Sequence, residues 1–258
     1  MTNTASLRFM LIAAAMTASC QAQPEGDVQT LRKEIDALKE QQKTMARDIE
    51  AIKNFLTGRR ERPQFQGATL NLSGSPSLGQ PAAKVTIVEY ADYQCSFCAR
   101  YFSTTFPQIV SEYVKTGKVK YVFRNFPLEA IHPAALKAAA AALCAGDQQK
   151  YWEMHSRLFS DLSKVGLEHM PEHGRALGLD SAKFKTCLDS GKYVDQIRKE
   201  MAEGQKLGVE GTPTYFLGVT GLDQTKLSAT ATLVGAQPFE AFKQAIDGLL
   251  APAPAAKP

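Results

Sequence analysis

Between Asp27 and Leu56 the apolar positions fall at Val28, Leu31, Ile35, Leu38, Met45, Ile49, Ile52 and Leu56. With Gln42 filling the one gap, the spacing alternates three and four without a break. Val28, Ile35, Gln42, Ile49 and Leu56 then occupy a positions, and Leu31, Leu38, Met45 and Ile52 occupy d positions, which is the pattern of a coiled coil. The competing reading is a single amphipathic helix lying on its own domain. A two-residue stripe is narrower than the face such a helix normally shows its core, and this favours the coiled coil. Glu34 to Lys39 and Asp48 to Lys53 are opposite charges at g and e, an arrangement that suits a parallel partner. Thirty residues at helical rise span roughly 45 Å, so residues 27–56 can serve as oligomeriser and spacer together. Gln42 at a central a position specifies register at some cost in stability. Dimer and trimer both stay open.

The pattern changes at Gly58. Residues 57–68, with Pro63 and Gly67, read as a linker, and Ser73 to Pro81 reads as a second turn-rich stretch before the main domain. Val85 to Tyr90 is a short β-rich run that is apolar on both faces, as in a central strand. Cys95-Ser96-Phe97-Cys98 opens a helical stretch to about Lys115, and Val119 to Phe123 forms the next strand. Ala134 to Ala145 is a strong helix former. Gly208 to Phe216 places Pro213 at the start of an apolar strand after a Gly-rich turn, a candidate for a cis bond. Thr232 to Gly235 reads as a last, edge strand and Phe239 to Leu250 as a terminal helix. The Ala/Pro tail, 251–258, reads as disordered.

Composition narrows the function classes. The chain has 258 residues, 30 basic against 26 acidic, a mild excess that makes no case for nucleic acid. Near Met1 lies Arg8, then the apolar Phe9 to Met16, then Thr17-Ala18-Ser19-Cys20, the layout of an export signal over 1–19. The apolar run is too short to span a bilayer. Thr17 to Cys20 resembles a bacterial lipobox, which would make Cys20 a lipidated first residue, although Thr17 stands where such boxes usually carry Leu. Cleavage near Ala22 is the alternative. Either way the chain leaves the cytoplasm and disulfides are permitted.

The cysteine count of five is odd, so the cysteines cannot all pair with one another. A strand, a CxxC at a helix N-terminus and a further strand make the context of a redox-active pair. The thiolate is the nucleophile in disulfide exchange, and the free N–H groups and partial positive charge of a helix N-terminus favour it. Cys95 is therefore expected exposed and nucleophilic, and Cys98, one turn in, shielded and resolving. Zinc is not expected. Its sites usually have a second close pair, whereas Cys144 and Cys187 stand 43 residues apart. His132, His155, His169 and His173 show no ligand spacing and read as structural or exposed. Trp152 and Phe159 read as core.

Four segments together carry a family likeness: VEYADYQCSFC (88–98), HPAALKAAAAALCAGDQQKYWEMHSRLF (132–159), FKTCLDSGK (184–192) and GVEGTPTYFLG (208–218). In these the sequence resembles the DsbA-like thiol:disulfide oxidoreductases. The resemblance implies an α/β, thioredoxin-like fold over 69–250 with an inserted α-helical domain at about 128–206, here preceded by the coiled-coil helix. By position, Cys95 matches the nucleophile, Cys98 its partner and Pro213 the cis-proline facing the site. Thr212 matches the residue that contacts substrate backbone, and Glu89 matches a buried acid coupled to proton transfer. Glu89 is also unusual on its own terms. It is a carboxylate in an almost continuous apolar strand, where burial would raise its pKa; an edge-strand Glu in water is the alternative. Ser96-Phe97 replaces the Pro-His of the strongest oxidants, so weaker thiolate stabilisation is expected. In an exported protein the two remaining cysteines, Cys144 and Cys187, most simply form a structural disulfide, with free buried thiols as the alternative.

The expected function is thus an exported enzyme that forms, reduces or isomerises disulfides through Cys95 and Cys98, without metal or nucleotide cofactor. Its expected partners are thiol- or disulfide-bearing clients, a membrane redox partner and further copies of itself through residues 27–56. Its expected place is the periplasm or cell envelope, with Cys20 as a membrane anchor if lipidated. A non-catalytic envelope scaffold that binds through the same domain is the competing class.

Overall fold

The computed structural model describes residues 25–56 and 67–251. The export segment with Cys20, most of the linker and the Ala/Pro tail lie outside the described residues. The chain divides into two units, Met1–Gln64 and Phe65–Pro258.

In the first unit one helix, α1 (Glu25–Leu56), covers the whole heptad segment. Leu31, Ile35, Leu38, Met45 and Ile49 are all exposed along it. Lys39 pairs with Asp36 at 3.6 Å and Lys43 with Glu40 at 2.6 Å, solvent-facing contacts worth a few tenths of a kcal/mol each.

The second unit is built on a sheet of six described strands, β1 (Ala68–Asn71), β2 (Ser77–Leu78), β3 (Val85–Ala91), β4 (Val119–Asn125), β5 (Thr214–Thr220) and β6 (Lys226–Val234), in the order β1-β6-β5-β3-β4-β2. Only β3 and β4 run parallel among these pairings; the others are antiparallel. As its double-sided apolar sequence predicts, β3 is central and buried throughout. Alternation along it sends Val85, Ile87 and Glu89 to one face and Thr86, Val88 and Tyr90 to the other. On the first face Val85 and Ile87 pack with Tyr101, Ile109, Phe242 and Ile246 from the helices that follow β3 and end the chain. On the second, Val88 and Tyr90 pack with Phe126, Val209 and Phe216.

Three sequence expectations need correction. Thr232–Gly235 is not an edge strand: β6 begins at Lys226 and lies between β5 and β1. The true edge on that side is β1, whose first residue, Ala68, falls in the expected linker. The turn-rich stretch before β3 contains β2, which pairs with Val122 and Tyr121 of β4. In each case the strand is short, or is built from Ser, Ala and Thr, so little hydrophobic signal marks it; pairing to a neighbour defines it instead.

After β3 the chain forms α2 (Ser96–Thr104), α3 (Phe106–Ile109) and a π-type turn, Val110–Val114. The helical stretch read to about Lys115 extends to Val114, with a junction at Thr105, two residues before Pro107. Pro107 brings no amide hydrogen to this junction, and the Thr105 hydroxyl donates to the Gln237 carbonyl at 3.0 Å.

Between β4 and β5 lie α4 (Ala135–Gly146), α5 (Tyr151–Ser160), α6 (Met170–Ala176), α7 (Ser181–Ser190) and α8 (Val194–Lys206). In α4 the alanines from 138 to 142 are all buried, as a helix apolar on every side must be. Its core, with Met154, Leu158, Phe184 and Ile197, is continuous with Tyr93, Cys95, Cys98 and Phe123 of the sheet unit. Helix α7 is capped by Asp180, whose carboxylate accepts from Ala182 N and Lys183 N at 3.0 Å each, and ends at Gly191 with φ 66°. Cys144 on α4 and Cys187 on α7 are joined by a disulfide, with Cα atoms 5.8 Å apart. Helix α8 is fastened to β4 by buried Glu200, which accepts from the Asn125 backbone N at 2.7 Å and side-chain Nδ2 at 2.8 Å. Helix α9 (Phe239–Leu250) closes the first face of the sheet. Among the described residues no helix is long and apolar enough to cross a membrane.

Candidate active site

Cys95 is the N-cap of α2, in extended conformation immediately before the first helical turn, which carries no acidic residue. The bend that places it is fixed by its own N–H, which donates to Asp92 O at 3.1 Å. Its thiol donates to the Thr212 carbonyl at 3.4 Å across 117 residues of chain. The Thr212–Pro213 bond is cis, Pro213 is buried, and the Thr212 hydroxyl is buried without a hydrogen-bond partner. The structure thus brings Cys95, Cys98, Thr212 and Pro213 into one place.

The expectation of an exposed Cys95 is corrected: only 5% of its surface is accessible. Its thiol is nonetheless lowered to about pKa 5. The largest cause is the hydrogen bond from the Cys98 thiol. The backbone N–H groups of Cys98 and Phe97 add to it, against the opposing effect of burial. These donors come from the helix start and the neighbouring thiol, so the site stabilises a thiolate without the His that the dipeptide lacks. Cys98 behaves in the opposite way. It is fully buried, and burial, then Cys95 and Glu89, push its pKa well above the usual thiol value. Between them Ser96 and Phe97 are exposed; Phe97 shows 53% of its surface, with the Arg100 guanidinium 4.9 Å from its ring centre.

Glu89 is 3% exposed, which excludes the edge-strand alternative. Tyr121 donates to its Oε2 at 2.6 Å and Tyr215 to its Oε1 at 3.4 Å. Burial dominates these bonds and raises its pKa to about 8. Cys144 and Cys187, bridged to each other, take no part in this cluster of thiols and carboxyl.

Asp92, Tyr93 and Gln94 were not singled out by the sequence, in which His132 and His155 read only as structural or exposed. Asp92 is buried. Its carboxylate accepts from Gln94 N at 2.7 Å and Leu128 N at 2.8 Å, and lies 2.8 Å from His132 Nδ1. Gln94 in turn accepts from Ala134 N at 2.8 Å. These bonds clamp the loop before the cysteines to the first loop of the helical insertion. His155 is buried among Phe102, Phe123 and Phe159, 3.0 Å from the Tyr93 hydroxyl, and burial lowers its pKa to about 3, so it is neutral. The only signal in the sequence was placement: Asp92, Tyr93 and Gln94 directly precede the cysteines, and His132 opens one of the family-like segments. Among the described residues no group of three or more His, Cys, Asp and Glu converges to hold a metal ion. A surface groove lined by Arg124, Lys199, Glu200, Glu203 and Lys206 includes none of the residues named above as chemical.

Comparison with known proteins agrees with this geometry. A family model described as Thioredoxin matches residues 71–247. Over 139 residues the chain is 32% identical to the Na(+)/H(+) antiporter NhaA 3 of Salinispora tropica, covering 54% of this chain but 21% of that protein. The chain therefore spans only about a fifth of the antiporter's length. It is 29% identical over 152 residues to the "probable disulfide bond formation protein D" of Bacillus anthracis, covering 56% of this chain and 70% of that one. Among solved structures, Wolbachia pipientis alpha-DsbA1 superposes with a TM-score of 0.60 at 26% identity, covering 70% of this chain and 92% of the other.

Proposed function

The chain belongs to the thioredoxin family, in its DsbA-like branch with a helical insertion, and on that premise we propose that it is a thiol:disulfide oxidoreductase of the cell envelope working through Cys95 and Cys98. The observation that carries this is the opposed pair of thiols on one helix turn, one lowered to about pKa 5 and its buried partner raised. Exchange needs that asymmetry: the first sulfur must be a good leaving group and an available thiolate, the second a shielded resolver.

In the oxidising direction a client thiolate attacks Cys95 Sγ of the disulfide form. The Cys95–Cys98 bond breaks, Cys98 leaves with the electron pair and takes a proton from the Glu89 carboxylic acid. A second client thiolate then attacks the client sulfur of the mixed disulfide, and Cys95 leaves as the thiolate. In the reducing direction Cys95 thiolate attacks a client disulfide and expels one client thiolate. Cys98 then passes its proton to the Glu89 carboxylate and attacks Cys95, releasing the second. Thr212 and Pro213 line the approach to Cys95, with Thr212 contacting the client backbone, and exposed Ser96 and Phe97 meet the client side. A low Cys95 pKa stabilises the dithiol form and so favours the oxidising direction. The exposed heptad face of α1 favours isomerisation instead, by linking copies so that several sites surround one misfolded client. A membrane redox partner renews the site, and Cys20, if lipidated, anchors the chain.

Insulin reduction tests the reading. Wild-type protein is expected to precipitate insulin B chains in the presence of a thiol reductant, and Cys95→Ser to abolish the activity. A wild type as inactive as the variant would sink the enzyme reading and leave the non-catalytic scaffold, which needs none of Cys95, Cys98 or Pro213.

A further inference from the structure

We propose that Tyr121, Tyr215 and Tyr101 are positioning residues for the exchange reaction, their hydroxyls holding the Glu89 carboxyl so that it can both give and take the Cys98 proton. The inference rests on the reading of Glu89 given above and adds to it three residues with an assigned task.

The sheet register builds the cluster. Glu89 of β3 sits opposite Tyr215 of β5 on one side and Phe123 of β4 on the other. Tyr121 lies two residues before Phe123, and a period of two sends both to the same face of the sheet. That face carries Glu89, and α2 lays Tyr101 over it, its ring centre 4.7 Å from that of Tyr215. All three tyrosines are buried. A hydroxyl has one proton. If Tyr121 donates to Glu89 Oε2 at 2.6 Å, its contact with the Tyr101 hydroxyl at 3.1 Å is one in which Tyr101 donates. The order is then Tyr101 to Tyr121 to Glu89, with Tyr215 donating to the second carboxyl oxygen.

Burial and these donors oppose one another at Glu89. Burial favours the neutral acid, while the two hydroxyls favour the carboxylate. Burial also pushes the three phenols far above their usual pKa, so they remain donors throughout the working range. The titratable groups around Glu89 are Cys95, Cys98 and Tyr101 from α2 and its cap, Tyr121 from β4 and Tyr215 from β5. Tyr93 and Tyr151 sense its charge from the neighbouring loop and α5. Without the hydroxyls the carboxyl would stay protonated well into alkaline solution and could not take the proton that Cys98 sheds when it attacks. A phenylalanine core would pack this face equally well, so what the hydroxyls add is the electrostatic balance at Glu89.

The test uses full-length protein with Tyr121→Phe, Tyr215→Phe, Tyr101→Phe and Glu89→Gln. The Glu89 carboxyl is titrated directly in the reduced form by infrared or carbon NMR, and the rate of mixed-disulfide resolution is measured against pH. Loss of the Tyr121 hydroxyl is expected to raise the carboxyl midpoint by about one pH unit, roughly tenfold in proton affinity. The midpoint of the pH–rate profile should move in the same direction, while the ultraviolet titration of the Cys95 thiolate is little changed. Tyr215→Phe should give a smaller shift, because its bond is longer, and so should Tyr101→Phe, because it acts through Tyr121. An unmoved carboxyl midpoint in all three phenylalanine variants overturns the tyrosine proposal. A pH–rate profile unaltered by Glu89→Gln overturns instead the reading of Glu89 as the proton partner, so the two failures are distinguishable.

Discussion

Cys95 at about pKa 5 and Glu89 at about pKa 8 stand in the reverse of the order of their ordinary values, 9.0 and 4.5, and the Glu89 shift leaves a mark on stability. Glu89 holds a proton in the folded state across the interval from its ordinary 4.5 to about 8, where the unfolded chain has lost it. The folded state binds more protons there, so stability falls as pH rises through the interval, by about 1.4 kcal/mol per pH unit from this group. Glu89→Gln removes that slope. In the oxidised protein, where neither active-site thiol titrates, urea unfolding at mildly acidic and mildly alkaline pH is expected to show the variant gaining a few kcal/mol on wild type at the alkaline end. Parallel curves would mean that Glu89 is not protonated in the folded protein. At this scale the cysteines and Pro213 were legible because CxxC spacing and a proline opening an apolar strand are local signals. Glu89 was half legible, as a carboxylate out of place in an apolar run. The partners that set its pKa were not, since Tyr121 and Tyr215 reach it only through strand register, across 32 and 126 residues of chain.

Among the elements, β3, α4 and α9 could be read because each carries an unbroken hydrophobic pattern at its own period. Strand β6 could not be read in full. It alternates exposed and buried positions only from Lys226 to Thr230, and Ala231, Thr232 and Leu233 are all half-buried; so weak a pattern, on mostly small side chains, looks like a loop until β1 and β5 are placed on either side. The Cys144–Cys187 bridge belongs to this scale as well, for it ties α4 to α7 across a sequence separation of 43. On the loop-entropy account closing such a loop contributes about 4 kcal/mol. A Cys144→Ala/Cys187→Ala variant is expected to unfold at lower urea with a loss of about 2–4 kcal/mol. A midpoint unchanged from wild type would show that the helices hold each other without the bond.

For the molecule as a whole, the heptads of α1 are the feature whose consequence lies beyond one chain. Five apolar side chains stay exposed along it, and a parallel partner would cover them and bring Glu34 to Lys39 and Asp48 to Lys53. Removing residues 27–56 is expected to convert an oligomer to a monomer by light scattering, to leave insulin reduction in place and to weaken recovery of activity in a scrambled substrate. A monomeric full-length chain would end the linkage argument. The catalytic thiolate has a dependence of a different kind. Cys95 and Cys98 lie in the first half of the chain, yet Thr212 and Pro213 come more than a hundred residues later. A polypeptide still being synthesised therefore carries both redox cysteines before it has the loop that completes their setting. The complete site therefore exists only after the chain has grown past Pro213 and folded that loop back against Cys95.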